Sequence, residues 1–256
     1  MPENPDAGGE TATAALRDRL QEVEARAAAA CRRSGRPREE VLLMAVSKQH
    51  PLSAILEAAS LGISRFGENR VPEFQQKHAE LEKRGEFELA RRFHCIGHVQ
   101  SNKAQRAAGL FASIDTLDSV RLALKLNDAA AERGEPLPVM VEIKLSHEPA
   151  KSGLEPESVE LQALLERLPD LHRLSLMGLM TVPPFTADAE AARPYFRRLR
   201  LLRDSLAVAH PRLRFDALSM GMSHDFPVAI EEGATVIRVG TALFGRRRPA
   251  APLPVC

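Results

Sequence analysis

Lys48 closes the apolar run Val41-Leu42-Leu43-Met44-Ala45-Val46-Ser47 and is followed by Gln49-His50-Pro51, so an amine stands where a strand gives way to a loop. Two later segments, Leu218-Ser219-Met220-Gly221-Met222-Ser223 and Val236-Ile237-Arg238-Val239-Gly240-Thr241, pass from apolar residues into small ones. Small residues let backbone N–H groups approach an anion, and hydroxyls add further donors. An amine able to form an imine, joined to a phosphate cradle, is the combination that pyridoxal 5'-phosphate needs.

Each of these features also has a plain reading. A lysine just past a strand is often a solvated end, and glycine with serine is ordinary turn chemistry. Arg238 lies inside an apolar strand pattern and must find a partner, either a carboxylate such as Glu142 or the ring nitrogen of a cofactor. His94 and His98 form an HxxxH pattern, but that spacing pairs two histidines on a helix, whereas here it runs from strand into loop with no obvious third ligand. No metal is therefore expected. His98 and Asn102 are expected on a pocket rim, with Ser101 capping the next helix. In Phe66-Gly67-Glu68-Asn69 the asparagine either bonds a ligand or caps its own turn.

The elements that position these groups follow from periodicity. Leu16, Leu20, Val23 and Ala27 step by four, three and four, which predicts an amphipathic N-terminal helix, stopped by Gly35 and Pro37. Beyond it, strands are expected near 41–47, 63–66, 92–96, 111–115, 138–145, 174–181, 215–219 and 235–239, alternating with helical segments such as 52–61, 120–132, 158–168, 187–208 and 226–231. Eight such units predict a single α/β domain, a TIM-type (β/α)8 barrel over residues 12–246, with the first helix packed outside it or across its bottom. A doubly wound sheet would place a Gly-rich turn after its first strand, where this chain has Ser47-Lys48-Gln49. In a barrel, the C-terminal strand ends form the mouth, so Lys48 would point its amine into a pocket. Partial desolvation beside another cation would lower its pKa and favour imine formation.

Residues 1–11 are polar and Pro- and Gly-rich and are expected to be a disordered tail; residues 247–256 form a Pro-rich tail after the basic Arg246-Arg247-Arg248. A formal net charge of +1 across 256 residues gives no reason to expect nucleic acid or an anionic membrane as partner. The three cysteines, Cys31, Cys95 and Cys256, have no metal-like spacing, and with no signal-like start they suggest a reduced, cytoplasmic protein. No apolar run is long enough to span a bilayer.

Taken in order, Ala45-Val46-Ser47-Lys48, Phe66-Gly67-Glu68-Asn69, the segment from His94 to Lys103, Lys151-Ser152-Gly153, Met177-Gly178-Leu179-Met180, and the two small-residue segments extended through Ala242-Leu243-Phe244-Gly245 resemble the pyridoxal 5'-phosphate homeostasis protein family. The barrel of that family is similar to the N-terminal domain of alanine racemase. The set runs from about Val41 to Gly245; no single motif is decisive, but the ordered set is specific. The resemblance implies that Lys48 carries pyridoxal 5'-phosphate as an internal aldimine, that Ser219, Gly221, Ser223, Gly240 and Thr241 hold the phosphate, and that Arg238 faces the pyridine nitrogen. It places Asn69, His98 and Met180 around the cofactor. Phe93 stands where the family often has tryptophan, and Arg70 and Pro72 replace commoner residues.

Three functions compete. One is a monomer or weak dimer that buffers the cofactor or delivers it to pyridoxal-phosphate-dependent apoenzymes, with little turnover. The second is an amino-acid racemase, which needs a second proton carrier on the face opposite the lysine. In alanine racemase that carrier is a tyrosine from a partner's C-terminal domain, and this chain is expected to end where that domain would begin. Its one tyrosine, Tyr195, falls in an outer helix, leaving His98 as a substitute. The third, a barrel for another phosphorylated ligand, requires that Lys48 form no imine.

Overall fold

The computed structural model describes residues 7–245 except 147 and 149–151. Eight strands, β1 (Leu42–Val46), β2 (Arg65–Glu68), β3 (Phe93–Cys95), β4 (Ser113–Leu117), β5 (Leu137–Glu142), β6 (Leu174–Met180), β7 (Ala217–Met222) and β8 (Val236–Val239), close into a parallel barrel in sequence order. β8 returns to β1 with Met44 opposite Arg238 and Ala45 opposite Val239. The expected (β/α)8 fold is the one observed.

Around the barrel run α1 (Ala7–Arg33), α2 (Leu52–Ser60), α3 (Val71–Lys83), α4 (Phe87–Ala90), α5 (Ala104–Leu110), α6 (Val120–Ala129), α7 (Val159–Arg167), α8 (Arg193–Ala209), α9 (Phe226–Glu231) and α10 (Thr241–Phe244). Short α4 and α5 have too few turns for an apolar stripe to repeat, which explains why the sequence pattern does not announce them.

Two apolar layers result from the strand period of two. Inward residues Met44, Met140, Met180 and Val236 form a small cluster within the barrel, joined by Leu42, Ile96 and Val182. Outward residues join the helices in the large core, where Phe93 stacks on Phe66 at 5.2 Å and on Phe74 at 4.5 Å between ring centroids. Phe93, one of the positions at which this chain departs from its resemblance, therefore belongs to the outer layer.

Helix α1 buries Leu16, Val23, Ala27, Ala30 and Cys31 and packs against α9 and α10, on the outer wall beside the last βα unit. Gly35, at φ 65°, ends it in the left-handed turn that brings Arg36 N–H to Cys31 O at 3.0 Å. Arg36 then donates to Ile230 O and Ala234 O at 3.0 and 2.9 Å, satisfying carbonyls at the end of α9. The helix starts at Ala7, so residues 7–11 of the stretch expected to be a tail are helical. Residues 1–6 and the C-terminal tail lie outside the described residues. Among the described residues, no helix is long and apolar enough to cross a membrane.

Candidate functional site

The strand period sets the lysine. Leu42 and Met44 line the barrel interior, and the same face continued beyond β1 carries Lys48, half-buried at the C-terminal rim. Ser47, one residue earlier, faces the helices and is fully buried, its Oγ donating to Glu68 Oε1 at 2.7 Å.

Asn69 follows β2 by the same logic, with Arg65 and Gly67 inward and Phe66 in the outer core. It borders a cleft of about 270 Å³ together with Ile96, Gly97, His98, Glu142 and Ser152. Its buried Oδ1 has no hydrogen-bond partner, and neither does the buried Oγ of Ser146 in the same cleft. The neighbouring helix α3 begins at the following residues with no side-chain cap, so the turn-capping alternative for Asn69 is not seen. The asparagine carries an unspent acceptor into the cleft, as a ligand-binding residue would.

The two histidines of HxxxH separate. His94 Nδ1 lies 3.2 Å from buried Asp115 inside the barrel, whereas His98 Nδ1 lies 2.9 Å from Asp118 on the rim. Among the described residues, no group of three or more His, Cys, Asp or Glu is arranged to hold a metal. Asn102, expected on the same rim, instead lines a side cleft with Arg121, Lys125 and Asp128. Ser101 opens a short 3-10 turn whose N-cap is Gln100, without a side-chain cap. The reason is that the chain turns outward immediately after His98.

Arg238 points inward from β8 and is only 3 % exposed. Its Nη1 donates to Ser219 Oγ and its Nη2 to Thr181 O, both at 2.7 Å. These neutral acceptors correct the expectation of a Glu142 ion pair. Burial depresses the guanidinium pKa, while the fields of Asp115, Glu142 and Asp225 act in the opposite sense. Glu142 itself accepts from Ser152 Oγ at 3.1 and 3.0 Å, and burial pushes its carboxyl above the usual range. Ser152 is brought there because Leu154 N–H and O bridge to Glu142 O and Lys144 N–H at 2.8 and 2.9 Å. Its sequence neighbour Lys151 lies outside the described residues.

The small-residue edge divides into parts with different work. Ser219 lies within β7, fully buried, and supports Arg238. Gly221, at φ 90°, also lies in the strand; a Cβ there would meet Ala229 Cβ at 2.6 Å and Phe226 Cα at 2.9 Å, so its lack of a side chain admits α9 to close packing. The helix after β7 spans Phe226–Glu231, the segment expected from the sequence, so Ser223 lies in the loop before it. Asp225 precedes it and its Oδ1 accepts from Met222 N–H at 2.6 Å, putting a negative charge where a free helix start would have offered a positive one.

Anion-suited donors gather slightly further on. Gly240 N–H and Ala242 N–H both donate to Ser223 Oγ at 3.2 Å, and Thr241 Oγ1 lies 3.4 Å from that oxygen. One hydroxyl oxygen has two lone pairs, so these long contacts crowd it; an anionic oxygen would serve the same donors better. The loop also lies next to the lysine strand, since a Cβ at Gly240 would be 3.4 Å from Val46 Cβ, and His50 stacks on Phe244 at 4.7 Å. Met180, the last residue of β6, belongs to the interior methionine cluster.

Sequence reasoning missed Asp115, Asp118, Ser146 and Thr181 as parts of this region, and named Ser152 only within a segment of the resemblance. The available signal was phase: Asp115 in β4 places a charge on the inward side of its strand, as Arg238 does in β8.

Residues 18–248 match the family described as "Alanine racemase, N-terminal domain". The chain is 40 % identical over 231 residues to a pyridoxal phosphate homeostasis protein of Aquifex aeolicus, covering 90 % of this chain and 98 % of that protein. It is 39 % identical to the protein of the same name from Escherichia coli K12, over 89 % and 95 % of the two chains. Among solved structures it is similar to PipY of Synechococcus elongatus with pyridoxal phosphate bound, with a TM-score of 0.76, 38 % identity and coverage of 90 % and 100 %. An alanine racemase of Clostridium difficile, at 16 % identity and a TM-score of 0.68, shares the fold over 93 % of this chain and 57 % of its own.

Proposed function

Because the chain belongs to the pyridoxal phosphate homeostasis protein family, we propose that it binds pyridoxal 5'-phosphate in the barrel mouth and serves to buffer the cofactor or deliver it to apoenzymes. The observation that carries the reading is the seam between β8 and β1. It sets the Lys48 loop beside the donors of Gly240, Thr241, Ala242 and Ser223, so one small molecule can reach an amine and an anion cradle together. The inward-facing, buried Arg238 and the unpartnered Oδ1 of Asn69 are polar groups suited to a heteroaromatic ring.

Within this reading, Lys48 binds the cofactor aldehyde as a Schiff base, a C=N bond replacing the C=O bond with release of water. The cofactor supplies an electron sink whose strength depends on protonation of its ring nitrogen. Arg238 has donors only and cannot accept that proton, so it favours the unprotonated ring and little turnover. Tyr195 supports the same conclusion: on α8 it packs against the outer hydrophobic core. The protein then acts in the cytoplasm as a monomer or weak dimer.

The test is to mix the purified protein with pyridoxal 5'-phosphate, reduce it with borohydride and map the peptides. A visible absorption band and a label on Lys48 are expected; a label on another lysine, or none, overturns the assignment. Incubation with L-alanine in deuterium oxide separates the racemase. Sustained, Lys48-dependent accumulation of D-alanine at ordinary enzyme rates would replace the buffering role with catalysis.

A further inference from the structure

The lysine loop is bound from behind by charged side chains that touch neither the cleft nor the anion cradle. Ser47 N–H donates to Gly67 O at 3.0 Å, and Ser47 Oγ to Glu68 Oε1 at 2.7 Å. From α3, Lys77 Nζ donates to Glu68 Oε1 at 2.7 Å, to Glu73 Oε1 at 2.9 Å and to Ser47 O at 3.0 Å. Glu73 Oε1 also accepts Gln49 N–H at 2.5 Å. Both sequence neighbours of Lys48 are thus tied to one cluster, the one before through its hydroxyl and carbonyl and the one after through its amide.

The backbone shows the effect of this hold. Gln49 sits at φ 62°, the left-handed region that side chains other than glycine seldom adopt, and it is the one such non-glycine residue among those described. Glu68 is fully buried, an expensive place for a carboxylate: Lys77 and Ser47 both donate to its Oε1, Oε2 has no hydrogen-bond partner among the described residues, and burial outweighs Lys77 to raise its pKa. A lysine has four rotatable side-chain bonds, so its amine is placed only as well as its Cα is fixed. Reactive groups must be held to within about 0.5 Å for productive geometry.

We propose that Glu68, Lys77 and Glu73 are positioning residues that fix the backbone on both sides of Lys48 and thereby present its amine for Schiff-base formation. This rests on the assignment of Lys48 as the attachment point. The clamp acts on imine formation and leaves the anion cradle alone, because the cradle is built from β7, β8 and the segment after β8.

The test compares two ligands on Lys77→Met, Glu73→Gln and Ser47→Ala: pyridoxal 5'-phosphate, and 4'-deoxypyridoxine 5'-phosphate, which keeps ring and phosphate but has no aldehyde. Lys77→Met is expected to lower the rate of borohydride-trapped labelling and the affinity for pyridoxal 5'-phosphate about ten-fold, with less than a two-fold change for the deoxy compound. Glu73→Gln is expected to lower both aldehyde readouts about three-fold, and Lys77→Arg to recover part of the loss. Should Lys77→Met fail to fold, Glu73→Gln and Ser47→Ala carry the comparison, since each removes a single side-chain group. Equal losses for both ligands would mean that the cluster only supports the fold, and unchanged labelling in every variant would likewise overturn the proposal. If the parent protein takes no label at Lys48, the cofactor assignment falls and the clamp with it; a labelled parent with unaffected variants sinks the clamp alone.

Discussion

Around Lys48 the chain is held by formal charges, with Lys77 shared between Glu68 and Glu73. Around Ser223 it is held by backbone amides and hydroxyls from Gly240, Thr241 and Ala242. The two edges meet at the β8–β1 seam, yet they suit different tasks. An attachment point must be rigid, and a buried ion cluster supplies directional, charge-assisted bonds that do not depend on a ligand. The donors of the proposed anion cradle instead share one neutral hydroxyl at 3.2 Å, a partner that a phosphate oxygen would replace.

The largest effect should come from the lysine edge. Lys48→Ala is expected to abolish the borohydride-stable label completely while phosphate-dependent binding of the deoxy compound survives. If affinity for both ligands collapsed, the two edges would not be separable. On the cradle edge, Ser223→Ala combined with Thr241→Ala should weaken pyridoxal 5'-phosphate binding, each lost bond to the anion costing roughly 1.5–3 kcal/mol. Pyridoxal without phosphate should bind as before, and a titration of both ligands decides it; equal weakening would assign these hydroxyls to the fold.

Gly221→Ala tests whether that glycine belongs to the cradle or to packing. Its φ of 90° and the 2.6 Å approach to Ala229 Cβ predict a loss of stability, about 1–3 kcal/mol from the backbone alone. Chemical denaturation reads this directly. An unchanged midpoint with lost phosphate affinity would return Gly221 to the cradle.

The smallest effect is one of pH. Burial raises the Glu142 carboxyl pKa above its ordinary 4.5, against Ser152 and Arg238, which lower it. A carboxyl raised in the folded state contributes stability below the unfolded pKa and loses it as pH rises through the folded value. Glu142→Gln should therefore melt higher than the parent at pH 8, with the difference vanishing below about pH 4.5. In the outer helical layer the sign reverses. Burial works to raise Glu232, but Arg197, Arg193 and Arg200 together outweigh it and lower its pKa, so its contribution is present at neutral pH and lost on acidification. Thermal melts of Glu232→Gln should show the parent as the more stable at pH 7 and the gap closing in acid.

Much of the architecture was legible because its signals are local. Strand-length apolar runs alternating with amphipathic stretches specify βα units, and a right-handed parallel series of eight closes on itself. Lys48, Asn69 and Arg238 were legible for the same reason: each is a polar residue placed at, or interrupting, a strand pattern. Ser219 and Gly221 were identified as residues that matter, and the structure gives each a packing or support task besides the cofactor contact expected of it. β7 runs on to Met222, which places Ser219 under Arg238 and Gly221 under α9.

The sequence by itself determined the barrel, the amine at a strand end and the small residues of the last two units. Pairings between residues far apart in the chain were decided by tertiary structure, since barrel closure brings β8 beside β1 and the β1–β2 pairing sets α3 behind the lysine loop. Ser47, Glu68, Glu73 and Lys77 carry no shared pattern in one dimension; side-chain reach and burial make them a cluster. Likewise Arg238 had to have a partner, but whether that was Glu142 or Ser219 with Thr181 depended on distances of a few ångströms across the barrel, which hydrophobic periodicity does not encode.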